Sequence, residues 1–152
     1  MKLNKVKGDV ITATSGLILH GCNAQGVMGS GVALAIRNTF PLAYQSYLKW
    51  KERVGNSLQI GNVQFVTVDP DLTIANGITQ EFYGRDGRRY VSYLASDCVF
   101  SEVKRWMSIN AVQELHMPKI GSGLGGGDWN VIETNLLETF AGTNIEIYLY
   151  EM

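Results

Sequence analysis

Two glycine clusters constrain this chain more than anything else in it. The first is Gly21-Cys22-Asn23-Ala24-Gln25-Gly26-Val27-Met28-Gly29-Ser30-Gly31, and the second is Gly121-Ser122-Gly123-Leu124-Gly125-Gly126-Gly127. Glycine makes up 17 of the 152 residues and proline only 3, so clustered glycines mark particular loops rather than flexible filler. Each cluster follows a short apolar run and opens into a helical stretch. A helix start offers unpaired N–H groups and the positive end of the helix dipole. Without a Cβ, the backbone can approach a bulky anion closely. Two such loops facing one another would clamp a diphosphate from both sides. In a parallel sheet both would lie at the carboxyl ends of strands, where ligands usually bind.

The remaining pattern interleaves strands and helices. Residues 6–11 read as a short strand end, interrupted by Gly8-Asp9, and residues 17–20 as a buried strand. Val32 to Arg37 is helical, and Pro41 opens a second helix that runs to about Arg53, ahead of Gly55. Residues 62–68 alternate and are rich in β-branched side chains, which predicts a strand. After a turn at Asp69-Pro70-Asp71, residues 72–79 are another strand. Residues 80–91 are a polar, aromatic loop, in which Asp86-Gly87 also reads as a two-residue hairpin turn. Ser92 caps a long helix with Ala95, Val99, Val103, Trp106, Met107 and Asn110 at helical spacing. Residues 115–120 are a strand whose Pro118 belongs near an edge or a sheet end. Asp128 reads as the N-cap of a helix striped by Trp129, Ile132, Leu136, Leu137 and Phe140, and residues 144–150 close the chain as a strand. The fold class is α/β, with a mixed or mostly parallel sheet covered on both faces. The length predicts one domain over residues 1–152.

Composition excludes several functions. A net charge of −1 supplies no general attraction for nucleic acid, so direct nucleic-acid binding is not expected. No run approaches the ~18 apolar residues that would cross a bilayer, and the first residues lack a signal peptide's apolar stretch. Cys22 and Cys98 are too far apart for a CxxC pair, which predicts reduced thiols and a cytoplasmic setting. Two Cys and two His at wide separations match no metal spacing, and no cofactor is implied. Gly121-x-Gly123-x-x-Gly126 matches the dinucleotide fingerprint, but too little chain follows for the βαβ unit that fingerprint needs. No Gly-Lys-Ser/Thr follows either loop, so neither is a P-loop.

The chain resembles a macrodomain, the ADP-ribose-binding fold. The resemblance rests on Gly8-Asp9-Val10-Ile11, on His20-Gly21-Cys22-Asn23 with Gly29-x-Gly31-Val32-Ala33, and on Met117-Pro118-Lys119-Ile120-Gly121-Ser122-Gly123-Leu124. It covers nearly the whole chain and implies a three-layer α/β/α architecture. The motif forms are similar to the subgroup containing ADP-ribose 1″-phosphate phosphatases and the hydrolases that release ADP-ribose from glutamate esters. The resemblance implies that Asp9 and the Val10 N–H read adenine, and that Asn23 bonds the distal ribose. Gly29, Ser30, Gly31 and Val32 would wrap one side of the diphosphate, and Gly121, Ser122, Gly123, Leu124, Gly125 and Gly126 the other. Tyr150 falls where the family often places an aromatic near adenine.

Departures from the subgroup narrow the activity. The ester hydrolases use a lysine where this chain reads Ile78-Thr79-Gln80-Glu81, and an aspartate where it has Gly125. A lysine nucleophile therefore lacks support. Gly29-Ser30-Gly31-Val32 leads into Ala33 rather than the aspartate of another hydrolase subgroup. A phosphate monoester fits better, with Arg85, Arg88 and Arg89 offering charge-assisted bonds to a terminal phosphate. His20 is the candidate acid–base group and Asp128 the candidate water-orienting carboxylate. His116 and Cys98 read as structural, and Cys22 as small filler. The leading expectation is hydrolysis of ADP-ribose 1″-phosphate. The alternatives are a non-catalytic reader of free or protein-linked ADP-ribose, and an ADP-ribosyl-ester hydrolase acting on modified proteins.

Overall fold

All but one of the strand-to-strand connections are too long for a hairpin, and this decides the sheet. The computed structural model describes residues 1–152. Its strands are β1 (Lys2–Lys7), β2 (Gly16–Asn23), β3 (Val63–Asp69), β4 (Leu72–Gln80), β5 (Glu114–Pro118) and β6 (Glu146–Glu151). They form one sheet in the order β1-β6-β5-β2-β4-β3. Only β3 and β4, joined through Pro70-Asp71, pair antiparallel, and every other pairing is parallel. The helices are α1 (Gly31–Thr39), α2 (Pro41–Val54), α3 (Tyr93–Ile109) and α4 (Trp129–Phe140). The result is a three-layer α/β fold around a mixed, mostly parallel sheet.

Period-two alternation sorts the strands' side chains between the layers. Leu17, Leu19, Leu115, Met117, Ile147 and Leu149 point to one face, where they bury Val99, Phe100 and Val103 of α3 and Ile132, Leu136 and Phe140 of α4. Ile18 and Ile74 point to the other face and pack with Ile36 of α1 and Ala43 of α2. Each of the larger side chains contributes about 1.5–3 kcal/mol on burial. Over β5 and β6 that second face carries Glu114, His116, Tyr148 and Tyr150 instead of an apolar stripe.

One local expectation is corrected and two open alternatives are decided. The first strand is Lys2–Lys7, not residues 6–11, and Val10–Thr12 is a 3-10 turn capped by Asp9, whose carboxylate accepts the Ile11 N–H at 3.1 Å. Lysines at positions 2, 5 and 7 hide the strand's hydrophobic pattern, and β1 carries them because it is an edge strand. Pro118 ends β5, which is a central strand, so the sheet-end alternative is the right one. Residues 81–90 form no hairpin: a single antiparallel bridge between Gln80 and Val91 pinches the base of an irregular loop.

Candidate functional site

Strands β2 and β5 are parallel neighbours, with Leu17 opposite Leu115 and Ile18 opposite His116. After β2 the chain turns to α1 on one face of the sheet, and after β5 it turns to α4 on the other. This is a topological switch point, and the diverging loops open a crevice there. Both glycine clusters line one cleft of about 730 Å³ in that position. The cleft is large enough for a ligand of nucleotide size.

The first loop is held from below by a tyrosine. Tyr47 of α2 is fully buried, its hydroxyl donates to the Asn23 carbonyl at 2.5 Å, and it accepts the Gly26 N–H at 3.1 Å. The Asn23 side chain braces the same loop, accepting the Gln25 and Val27 N–H groups at 3.0 and 3.3 Å and donating to the Val27 carbonyl at 2.8 Å. Asn23 also lines the cleft, with its second amide N–H left over for a ligand. The bracing stops where the cleft begins. The N–H groups of Gly29, Ser30, Gly31, Val32 and Ala33 have no protein acceptor. Ser30 occupies the N-cap position of α1 and makes no side-chain capping bond. Two other helix starts differ: Ser92 caps α3 and Asp128 caps α4 through side-chain oxygens.

The second loop is folded on itself and on the loop before α3. Gly127 donates to Gly121, Gly126 to Gly123, and Tyr90 and Val91 both donate to the Gly125 carbonyl. Gly126 is required by this docking, since its φ is +71° and a Cβ there would collide with the Arg88 carbonyl oxygen. Gly123 is different. Its φ is ordinary and a Cβ would meet nothing within 4 Å, so no intramolecular packing demands a glycine. The N–H groups of Gly123, Leu124 and Gly125 again find no protein acceptor. Two runs of unpaired backbone donors, 29–33 and 123–125, thus line the two sides of one cleft, an arrangement suited to an anion with several oxygens.

The remaining expected residues divide by position. Asn23, Gly29, Ser30, Gly31, Val32, residues 121–125, Arg85, His20 and Tyr150 all line the cleft. Gly126, Asp9, Val10 and Asp128 do not. Val10 is buried at the adjoining rim, in the cluster that Val32 and Tyr150 flank, and Asp9 precedes it. Asp128 accepts the Asn130 N–H at 2.9 Å as the cap of α4, so this helix start is already neutralised. Arg88 pairs with Asp86 at 3.2 Å and Arg89 lies over the Tyr93 ring, which leaves Arg85 as the arginine in the cleft. His20 is 1% exposed. Asn76 donates its amide to Ala43 and Gln64, so its oxygen must accept from His20 Nε2, at 2.6 Å. Burial holds the imidazole pKa down to about 4, against the opposing pull of the Asn76 bond. Cys22 beside it is buried, and burial pushes its thiol well above the usual range. The sequence reasoning did not single out Gln80, Tyr83, Lys119 or Glu151, all of which line the cleft. Lys119 and Glu151 form an ion pair across the ends of β5 and β6, and the lysine holds the Glu151 carboxyl below its ordinary pKa. The adjacency of β5 and β6, which no local pattern reports, brings them together.

Comparison with known proteins agrees with this geometry. The Macro domain family profile matches residues 19–134. A DNA ADP-ribosyl glycohydrolase of Thermus aquaticus is 30% identical over 98% of this chain, which spans 41% of that relative's length. An ADP-ribose 1″-phosphate phosphatase of Candida albicans is 25% identical over 95% of this chain and 97% of its own length. Among solved structures, a macrodomain protein from Streptomyces coelicolor superposes with a TM-score of 0.83 at 28% identity, covering 99% of both chains. With its switch-point cleft, its two donor runs and a profile match over most of its length, the chain belongs to the macrodomain family.

Proposed function

We propose that the cleft binds ADP-ribose through its diphosphate and that the enzyme hydrolyses ADP-ribose 1″-phosphate to ADP-ribose and phosphate. The carrying observation is the pair of unpaired N–H runs on opposite sides of one crevice. Such donors are fixed by the fold before the ligand arrives, so they hold developing charge without reorganising. In this reading the diphosphate lies between residues 29–33 and 123–125. The adenine end lies toward Tyr150 and the Asp9-Val10 rim, and the Asn23 amide meets the distal ribose. Arg85 neutralises the terminal phosphate. His20, neutral at physiological pH, is the candidate base for the attacking water; Asp128, outside the cleft and committed to capping α4, takes no part in this reading. The supporting comparison is the name of the Candida relative.

A second reading, removal of ADP-ribose from nucleic acid, draws on the name of the Thermus relative and on the rim. Phe82 is 61% exposed and Tyr83 54% exposed beside Arg85, offering aromatic faces and a cation to an unpaired base and its phosphate. The test is turnover of two substrates at high enzyme concentration. Phosphate release from ADP-ribose 1″-phosphate supports the phosphatase, and release of ADP-ribose from a modified oligonucleotide supports the second reading. Calorimetric binding of ADP-ribose without either reaction would make the protein a reader, and absence of binding would sink all three.

A further inference from the structure

We propose that His116, outside the cleft, is a positioning residue for ligand binding: its Nδ1 accepts the Tyr150 hydroxyl and so fixes the aromatic ring that walls one end of the cleft. This inference rests on the ADP-ribose reading above. His116 is 8% exposed and sits on β5, beside β6. Its ring is stacked on Tyr148 at a centroid distance of 4.8 Å and tilted against Tyr150 at 5.7 Å. Nδ1 lies 2.8 Å from the Tyr150 hydroxyl oxygen. Nε2 is buried without a hydrogen-bond partner, and the nearest carboxylate oxygen, Glu114 Oε2, is 3.5 Å away and already accepts the Ser15 hydroxyl at 2.7 Å.

These positions choose the tautomer. A neutral imidazole has one donor nitrogen and one acceptor. The side facing Glu114 favours the proton on Nε2, so Nδ1 is the acceptor and Tyr150 the donor. The hydroxyl is thereby committed to His116, which lies outside the cleft that Tyr150 lines. Protonating His116 would put a hydrogen on Nδ1 and force the tyrosine hydroxyl to surrender its acceptor. The charged and titratable groups facing this imidazole are Glu114 on its own strand and Tyr148 and Tyr150 on β6. Tyr148 is itself tied to Glu146 at 2.6 Å. Burial lowers the His116 pKa, with Glu114 opposing, which keeps the neutral form dominant at physiological pH.

The experiment is calorimetric titration of ADP-ribose into wild type, His116→Phe, His116→Asn, Tyr150→Phe and the double variant combining His116→Phe with Tyr150→Phe, with melting curves for each. Asparagine keeps an acceptor oxygen near the Nδ1 position; phenylalanine keeps only the ring. The expected result is a loss of about three- to tenfold in affinity for His116→Phe and for Tyr150→Phe. The double variant should bind no more weakly than either single one, and His116→Asn within about twofold of wild type. Wild-type affinity should fall as pH is taken below the ordinary imidazole range, and Tyr150→Phe should lack that fall. Long-range nitrogen–proton spectra of free wild type should show His116 protonated on Nε2 at neutral pH. Additive losses, equal damage from Phe and Asn, wild-type binding by His116→Phe, or the opposite tautomer would each overturn the proposal. If His116→Phe fails to fold, the asparagine variant, the pH profiles and the tautomer decide. Wild type that binds no ADP-ribose would instead overturn the ADP-ribose reading, and the spectra would still report on the hydrogen bond.

Discussion

His20 is the proposed base on which burial acts most directly. Its folded-state pKa of about 4 lies below the ordinary 6.5, because the buried ring is stripped of water when charged. The unfolded chain therefore binds more protons than the folded one between those values, and stability rises with pH across the interval. The contribution is complete above pH 6.5 and is lost as pH falls toward 4, and it amounts to roughly 3 kcal/mol. Denaturant titrations at about pH 7 and pH 4.5 should show this loss in wild type and a clearly smaller one in His20→Asn; equal losses would mean the imidazole does not dominate acid destabilisation. Under the phosphatase proposal the base is this already neutral imidazole, so the hydrolysis rate should show no inflection near 6.5. Tyr47 makes the complementary case, in which a residue outside the cleft shapes it. Replacing it with phenylalanine strips the Gly26 N–H and the Asn23 carbonyl of a buried partner, at about 1–3 kcal/mol in stability. ADP-ribose affinity should fall with it, because the loop carrying the first donor run loses its support. A melting temperature and a Kd unchanged from wild type would show that Asn23 alone braces the loop.

At the scale of elements, the two helix starts beside the cleft are not equivalent. The start of α1 has no side-chain cap, whereas Asp128 caps α4. In sequence both loops look like helix-start anion sites, since each runs from a strand into a helix. What distinguishes them is the residue before each helix, serine at position 30 and aspartate at 128, and whether that side chain turns inward cannot be read from residue type. Helix and strand identities were legible because hydrophobic periodicity and caps are local: Ser92, Asp128, Pro41 and Gly55 all mark the boundaries they suggest. β1 is not legible in the same way, because its lysines carry no such period. The glycines separate in the same way. Gly126→Ala should destabilise the fold by several kcal/mol, since its Cβ runs into the Arg88 carbonyl at a φ of +71°. Gly123→Glu should leave the melting temperature within a few degrees of wild type and abolish ADP-ribose binding, through bulk and like charge. Gly29→Glu should do the same, its nearest neighbour to a Cβ being Val27 at 3.5 Å. A well-folded Gly123→Glu that binds normally would remove the second loop from the site.

At the scale of the whole molecule, the cleft exists because β2 and β5 are neighbours whose crossovers go opposite ways, and that adjacency is long-range information. The motifs announced which loops would meet, while the strand order alone brings Lys119, Glu151 and Gln80 to the same crevice; Arg88 and Arg89 are held outside it by Asp86 and Tyr93. The consequence is a cleft whose groups open to a phosphate are mainly backbone N–H groups rather than side-chain cations. Arg85 is its one cation without a carboxylate partner, since Lys119 is paired with Glu151, and the whole chain carries a net charge of −1. Fixed dipoles act at contact distance and are little affected by screening over a Debye length of about 8–10 Å, whereas steering by net charge is not. Affinity for free ADP-ribose should therefore fall less than about tenfold between roughly 50 and 500 mM salt, measured by calorimetry. Saturation at about a hundredfold excess over Kd should stabilise the fold by roughly 2.7 kcal/mol, a rise of roughly 5–10 °C in melting temperature. AMP and ribose 5-phosphate at equal concentration, each lacking the bridging diphosphate, should raise it far less. A steep salt dependence for free ADP-ribose would shift the weight from the glycine loops to Arg85. The same steepness seen only with an ADP-ribosylated oligonucleotide would place the extra phosphates on the rim formed by Phe82, Tyr83 and Arg85, and would favour the nucleic-acid reading.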